Sequence, residues 1–156
     1  MTDDSGRFMV AAAAVLEHDQ SGDILLLRRG RDRDFAPEVW EDVSGRLHQG
    51  EHPEQALRRE IEEETGITDV EIVTPIRAFH FFRGERRAEY ELVGIAFWCR
   101  TKSRTVTLSG EHTEFRWLPA TEALELAGHE GIRANIAAFV GLRAPRPVGP
   151  AEQREV

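Results

Sequence analysis

The sequence predicts an α/β (α+β) domain, an α/β/α sandwich built on a mixed β-sheet. Three observations predict it: β-forming apolar runs early and in the middle of the chain, a helix bracketed by Pro53 and Gly66, and apolar residues at helical spacing near the end. Strands interleaved with single helices call for one sheet whose faces the helices cover. A length of 156 residues, 40% hydrophobic and 31% charged, suits one domain with a proper core. We place that domain at 8–143. The stretches 1–7 and 144–156 are expected to be flexible, the first polar and the second carrying Pro145, Pro147 and Pro150 among few apolar residues.

In chain order, Met9 to Glu17 and Ile24 to Arg28 are apolar runs separated by Asp19-Gln20-Ser21-Gly22-Asp23, the pattern of a β-hairpin. Ala11 to Ala14 would equally begin a helix, but the short run and early turn favour a strand. Arg29 to Gln49 is polar, with Phe35 and Trp40 as anchors, and reads as an ordered loop with short strands. Pro53 suits the first helical position and Gly66 the residue past the last turn, so His52 to Thr65 forms a helix. After Val70 to Thr74, the β-rich segments Ile76 to Phe82 and Tyr90 to Arg100 flank the charged turn Arg83-Gly84-Glu85-Arg86-Arg87 as a second hairpin. Val106, Leu108 and Phe115 to Leu118 suggest further strand. Thr121 to Leu126 and Gly131 to Leu142 read as helices, the latter with Ile132, Ile136 and Phe139 on one stripe.

Several function classes fall away on composition. The longest apolar run, Phe8 to Leu16, is too short for a bilayer, which needs roughly 20 such residues, and it lacks a signal-peptide pattern. The expectation is a soluble cytoplasmic protein with no membrane partner. Cys99 stands alone, which excludes an internal disulfide and a multi-thiolate metal site. A net charge of -8 argues against nucleic acid as the main partner. It leaves room for a small phosphorylated ligand if cations bridge the two.

Within the predicted helix, Glu60, Glu63 and Glu64 stand at i, i+3 and i+4 and share one face. Such a charge run alone is usually a solvated helix surface. Like charges at this spacing repel, however, and the arrangement makes physical sense if divalent cations sit among them. Oxygen-only ligands point to Mg²⁺ or Mn²⁺ rather than zinc. Leu57 and Ile61 flank the acidic face and can pack on the sheet, while Arg58 and Glu62 project away. Arg59 lies beside Glu63 on the wheel, and Glu51, just before the helix, can reach back to it; both are assigned a supporting role in catalysis.

The segment from Gly45 to Ile67 matches the pattern G-x5-E-x7-R-E-U-x-E-E-x-G-U, with U a bulky aliphatic, at every specified position. A chance match at a given start is roughly a one-in-a-billion accident. The pattern is the Nudix signature, and the chain resembles that hydrolase family over this motif strictly and over about 8 to 143 in the order of its elements. The resemblance implies hydrolysis of a nucleoside diphosphate linked to another moiety, by water attack on phosphorus with Mg²⁺ or Mn²⁺ held by the helix glutamates. It implies Glu60 and Glu64 as metal ligands, Glu63 as ligand or water-orienting base, and the Gly45 carbonyl as a further ligand. The residue types agree, since in-line displacement at phosphorus needs charge neutralisation and an activated water.

Trp40 to Gly45, Ser109-Gly110-Glu111-His112 with Trp117-Leu118, and Ile132 to Asn135 resemble the nucleoside triphosphate and dihydroneopterin triphosphate pyrophosphatase branch. Val43-Ser44-Gly45 departs from the Pro-Gly-Gly that many members carry, keeping only the signature glycine. Family members often place another glutamate on a loop outside the helix; Glu111 is the candidate and Glu114 its rival. His112 either contacts phosphate or caps the loop. Arg28, Arg46 and Arg77, with Arg29, fall where phosphates would need cations. The ligand expected is a small nucleotide-like diphosphate, and a homodimer remains open. Two other readings stay beside the hydrolase: a non-catalytic nucleotide-sensing module on the same fold, and an isomerase of the isopentenyl diphosphate type, which Cys99 in an expected buried strand supports poorly.

Overall fold

The computed structural model describes residues 5–144, so the tails expected at 1–7 and 144–156 lie largely outside the described residues. Its strands are β1 (Met9–His18), β2 (Ile24–Arg29), β3 (Trp40–Glu41), β4 (Val43–Arg46), β5 (Glu71–Phe82), β6 (Glu91–Thr101) and β7 (His112–Leu118). The helices are α1 (Pro53–Thr65), α2 (Ala120–Leu126) and α3 (Glu130–Arg143). The strands form one seven-stranded mixed sheet in the order β3-β2-β1-β6-β5, with β4 added to β1 and β7 to β2.

Strand β1 lies at the centre, parallel to β6 from Met9↔Leu92 to His18↔Thr101 and antiparallel to β4 from Ala11↔Arg46 to Ala14↔Val43. A strand covered on both faces reads as a continuous apolar run. Ala11 to Ala14 are accordingly buried strand residues, and the helical alternative is set aside. The alternation of side chains splits the core in two. Ala12, Ala14 and Leu16 join Leu57 and Ile61 of α1 on one face. On the other face Val15 joins Ile132, Ile136 and Phe139 of α3 and Ala123 of α2. The predicted three-layer sandwich is therefore present, with α1 on one side and α2 and α3 on the other. Among the described residues, no helix is long and apolar enough to cross a membrane.

Three elements differ from the sequence reading. The expected first hairpin touches at Glu17↔Ile24 alone; β2 then runs along β7, because β1 is already engaged by β4 and β6. Strand β5 continues through Pro75, where the sequence suggests a break. It lies at the sheet edge, and register shifts at Ile72/Thr74 and Pro75/Arg77 absorb the missing N–H. Val106 and Leu108 form no strand; they pack against the α1 side of the core from a loop whose Thr107 N–H donates to the Thr65 carbonyl.

Helix α1 begins and ends where its terminators predict. His52 caps it, its side chain accepting from the Glu54 N–H at 3.3 Å while the Gln55 side chain accepts from the His52 N–H at 2.9 Å. Such a reciprocal cap is worth about 1 kcal/mol. Gly66 closes the helix in the left-handed region at φ 71°.

Candidate active site

Leu57 and Ile61 are fully buried and fix the rotation of α1, which presents Glu60, Glu63 and Glu64 at the helix edge nearest β4. The three carboxylates occupy different environments. The Glu63 side chain is 58% exposed, Glu60 is largely covered, and Glu64 as a residue is only 7% exposed. Burial pushes Glu64 well above the ordinary carboxylate range, and the negative charges of Glu41, Glu60, Glu111 and Asp42 push the same way. Glu60 is raised too, mainly by burial, against the pull of Arg59. One Glu64 oxygen, Oε2, is buried without a hydrogen-bond partner. A buried orphan oxygen among like charges is costly unless a cation completes it.

Arg59 holds the entrance loop to this face. Its Nε and NH2 donate to the two Glu51 oxygens at 2.8 and 3.0 Å, NH2 also donates to the Arg46 carbonyl at 3.0 Å, and NH1 reaches Glu60 at 2.6 Å and Glu63 at 3.3 Å. Glu51 in addition accepts from the His48 N–H at 2.8 Å. Arg59, followed by that backbone donor, holds the Glu51 carboxyl down to about 2. The Glu51–Arg59 contact inferred from spacing is thus present as a bidentate pair.

Gly45 lies directly under Glu60. A Cβ built on Gly45 would overlap the Glu60 carboxylate, so only glycine lets that side chain lie across the β4 backbone. Among the described residues no three His, Cys, Asp or Glu side chains form a ready-made metal cage. Arg59 draws Glu60 aside and Glu63 faces solvent, which accounts for the open arrangement. The orphan Glu64 oxygen and the close approach of Glu60 to Gly45 nevertheless fit an oxygen-ligated Mg²⁺ or Mn²⁺.

The two loop glutamates are placed differently. Glu111 acts electrostatically on both Glu60 and Glu64, and its Oε2 accepts from Arg33 at 2.9 Å. Glu114 is engaged on the surface by Arg28 at 2.9 Å. Of the candidate phosphate-binding arginines, Arg46 lines a cleft of about 530 Å³ together with Glu60, His48 and Phe8. Arg28 and Arg77 have partners within the chain: Arg28 pairs with Glu114 and Glu38, and Arg77 donates to Asn135 Oδ1 at 2.8 Å. Arg29 donates to Glu41 at 3.0 Å.

Asp42 and Glu41 carry no role assigned from the sequence, and the structure gives both specific partners. Asp42, 4% exposed, accepts from the Asn135 Nδ2 at 2.7 Å. Burial raises its pKa to about 7, with the Asn135 hydrogen bond opposing. One signal was legible: Asn135 is a polar residue on the buried stripe of Ile132, Ile136 and Phe139 and requires a partner. Glu41 accepts from Arg29 and from His112 Nε2, each at 3.0 Å. Cys99 is buried and its thiol is pushed up to about 12, which suits packing and not nucleophilic chemistry.

A family model described as NUDIX domain matches residues 7–139. The CTP pyrophosphohydrolase of Escherichia coli K12 is 30% identical over 141 residues, covering 90% of this chain and 98% of that protein. A Myxococcus xanthus protein named octanoyltransferase is 32% identical over 128 residues, 81% of this chain, which spans only 35% of that relative's length. The solved structure of the E. coli dihydroneopterin triphosphate pyrophosphohydrolase superposes with a TM-score of 0.68 at 25% identity, covering 86% of this chain and 96% of the other.

Proposed function

The chain belongs to the Nudix family and is a Nudix hydrolase, and from that premise we propose that it is a Mg²⁺-dependent pyrophosphohydrolase cleaving a diphosphate linkage in a nucleoside triphosphate or related nucleoside diphosphate derivative. The observation that carries this reading is the buried Glu64 carboxylate, half unpaired, beside a Glu60 that lies across Gly45. Glu60, Glu64, Glu63 and the Gly45 carbonyl are the residues that would hold the ion. When bound, Mg²⁺ or Mn²⁺ supplies neutralisation of phosphate charge and a lowered pKa for the attacking water.

The remaining work falls to the chain itself. Arg59, anchored by Glu51, fixes the loop from Arg46 to Glu51 against the helix and restrains Glu60 until substrate enters. Arg46, lining the cleft beside Glu60, meets the phosphate oxygens; Arg28 and Arg77 would do so only after leaving their present partners. Glu111, or Glu63 as the exposed acid on the helix, accepts the water's proton as the water oxygen bonds to phosphorus and the bridging phosphorus–oxygen bond breaks, its electron pair leaving with the departing phosphate group. The domain we place at 8–143 carries this reaction, and a free small molecule in the cytoplasm is its substrate. The name of the E. coli relative puts nucleoside triphosphates at the head of the substrate panel.

The test is turnover of a panel of nucleoside triphosphates, sugar diphosphates and dinucleotides with Mg²⁺, with Mn²⁺ and in EDTA. Activity is expected only with metal, and Glu64→Gln is expected to lose on the order of 10²-fold or more, since metal-borne charge stabilisation is worth several kcal/mol. Full turnover by Glu64→Gln refutes the mechanism. Tight nucleotide binding without turnover across the panel would point to a sensing module.

A further inference from the structure

We propose that His112 is a positioning residue that holds the loop carrying Glu111 beside the Glu60–Glu64 face, an assignment that rests on that face being the reaction centre. The β2–β7 ladder runs in regular register from Ile24↔Leu118 to Arg28↔Glu114 and then shifts, so that Arg29 faces His112 and Thr113 is left over. A bulge of this kind re-aims the chain next to it. Here it turns the His112 imidazole inward until the side chain is 1% exposed, while Glu114, two residues on, faces solvent.

The buried imidazole is tied into a chain of charge-assisted bonds. His112 Nε2–H donates to Glu41 Oε1 at 3.0 Å, Arg29 NH1 donates to the same oxygen at 3.0 Å, and Arg29 Nε donates to the Phe35 carbonyl at 3.0 Å. His112 is thereby fixed to β3 and β2 at once. The backbone of its neighbour Glu111 is held too, its carbonyl accepting from the Gly30 N–H at 2.8 Å, while its half-exposed carboxylate accepts from Arg33. The Ser109 N–H reaches the Glu64 carbonyl at 3.4 Å, which joins the loop to the last turn of α1.

The other ring nitrogen, Nδ1, is buried without a partner. A leucine or phenylalanine would fill the same space without that desolvation cost. Packing alone therefore does not explain an imidazole at this position, whereas a directional bond to Glu41 does.

The experiment is a double-mutant cycle between position 112 and Glu111, using the nucleoside triphosphate turned over fastest with Mg²⁺. His112→Leu is expected to lower kcat by roughly 10- to 100-fold with little change in KM, the range for lost support of a reacting group. Added to Glu111→Gln, it is expected to lower kcat no further. His112→Gln, whose amide reaches Glu41, is expected to recover most of the rate. In the metal-free protein, amide hydrogen exchange over 109–113 should quicken in His112→Leu and return to normal in His112→Gln. If His112→Leu does not fold, His112→Asn, too short to reach Glu41, replaces it. Losses that multiply in the double mutant, or unchanged exchange at 109–113, overturn the proposal. Wild-type turnover by His112→Leu in an enzyme that Glu64→Gln silences refutes this inference alone; wild-type turnover by Glu64→Gln refutes the reaction centre itself.

Discussion

Replacing Asp42 by asparagine should flatten the dependence of folding stability on pH. Asp42 is buried, its carboxylate has the Asn135 amide as a donor, and burial raises its pKa from 3.8 to about 7. A carboxyl whose pKa is higher in the folded than in the unfolded state binds its proton more tightly when folded. Stability is then greatest below 3.8 and falls as pH rises, until the folded group has also ionised near 7. The full shift corresponds to roughly 4 kcal/mol, of which roughly 2 to 3 kcal/mol develops between pH 5 and pH 8. Asparagine fills the same volume, still accepts from Asn135 and does not ionise. Glu60, also raised, has no contribution from Asp42 and cancels in the comparison, whereas Glu64 loses the smallest of the charges that raise it, which adds slightly to the same flattening. The assay is urea unfolding in EDTA at pH 5, 6, 7 and 8. Wild type should lose roughly 2 kcal/mol more than Asp42→Asn across that range; parallel pH profiles for the two proteins would refute the buried-carboxyl argument.

Two further substitutions test the architecture around the acidic face. Arg59→Met removes the guanidinium from Glu51, Glu60 and Glu63 together and should cut turnover roughly 10- to 100-fold, with Arg59→Lys recovering little because an ammonium cannot reproduce the bidentate Glu51 pair; a lysine variant near wild-type rate would show that charge alone suffices. Gly45→Ala forces Glu60 off its present path and should cause a large loss of turnover with little cost in denaturant unfolding, because only the end of a flexible side chain has to swing aside. An alanine variant with a normal rate would mean that Glu60 has room to move.

What was legible in the sequence and what was not follows the range of the interactions involved. Helix α1 was readable because Pro53 and Gly66 act within a turn of its ends, and the Glu51–Arg59 pair because it reaches only from the entrance loop to the second turn of the helix. The shared face of Glu60, Glu63 and Glu64 followed from helical geometry alone, but their unequal burial did not, since the sheet and the loop at 109–112 create it. Pro75 suggested a strand break, and only the position of β5 at the sheet edge explains why the strand survives. Arg77 looked free to meet phosphate until Asn135, 58 positions away, appeared as its acceptor. The Asn135–Asp42 bond joins residues 93 apart and leaves no local trace except one amide on an apolar stripe.

The parallel pairing of β1 with β6 governs how this molecule must reach its native state. Met9 meets Leu92 only after 83 positions of chain have been gathered, and that pairing sits at the middle of the sheet. Helix α1 and the β5–β6 hairpin are local and can form on the microsecond scale, whereas closing so long a loop slows the rate-limiting event toward milliseconds or longer. Gly45 is delivered by β4, which is aligned by β1, so Glu60 acquires its floor only when the central strand docks. Nascent chains that have made β1, β4 and α1 but not yet β6 therefore carry the acidic helix over strands that still lack the parallel partner of β1. Catalytic competence should arrive in one late step, coincident with global folding.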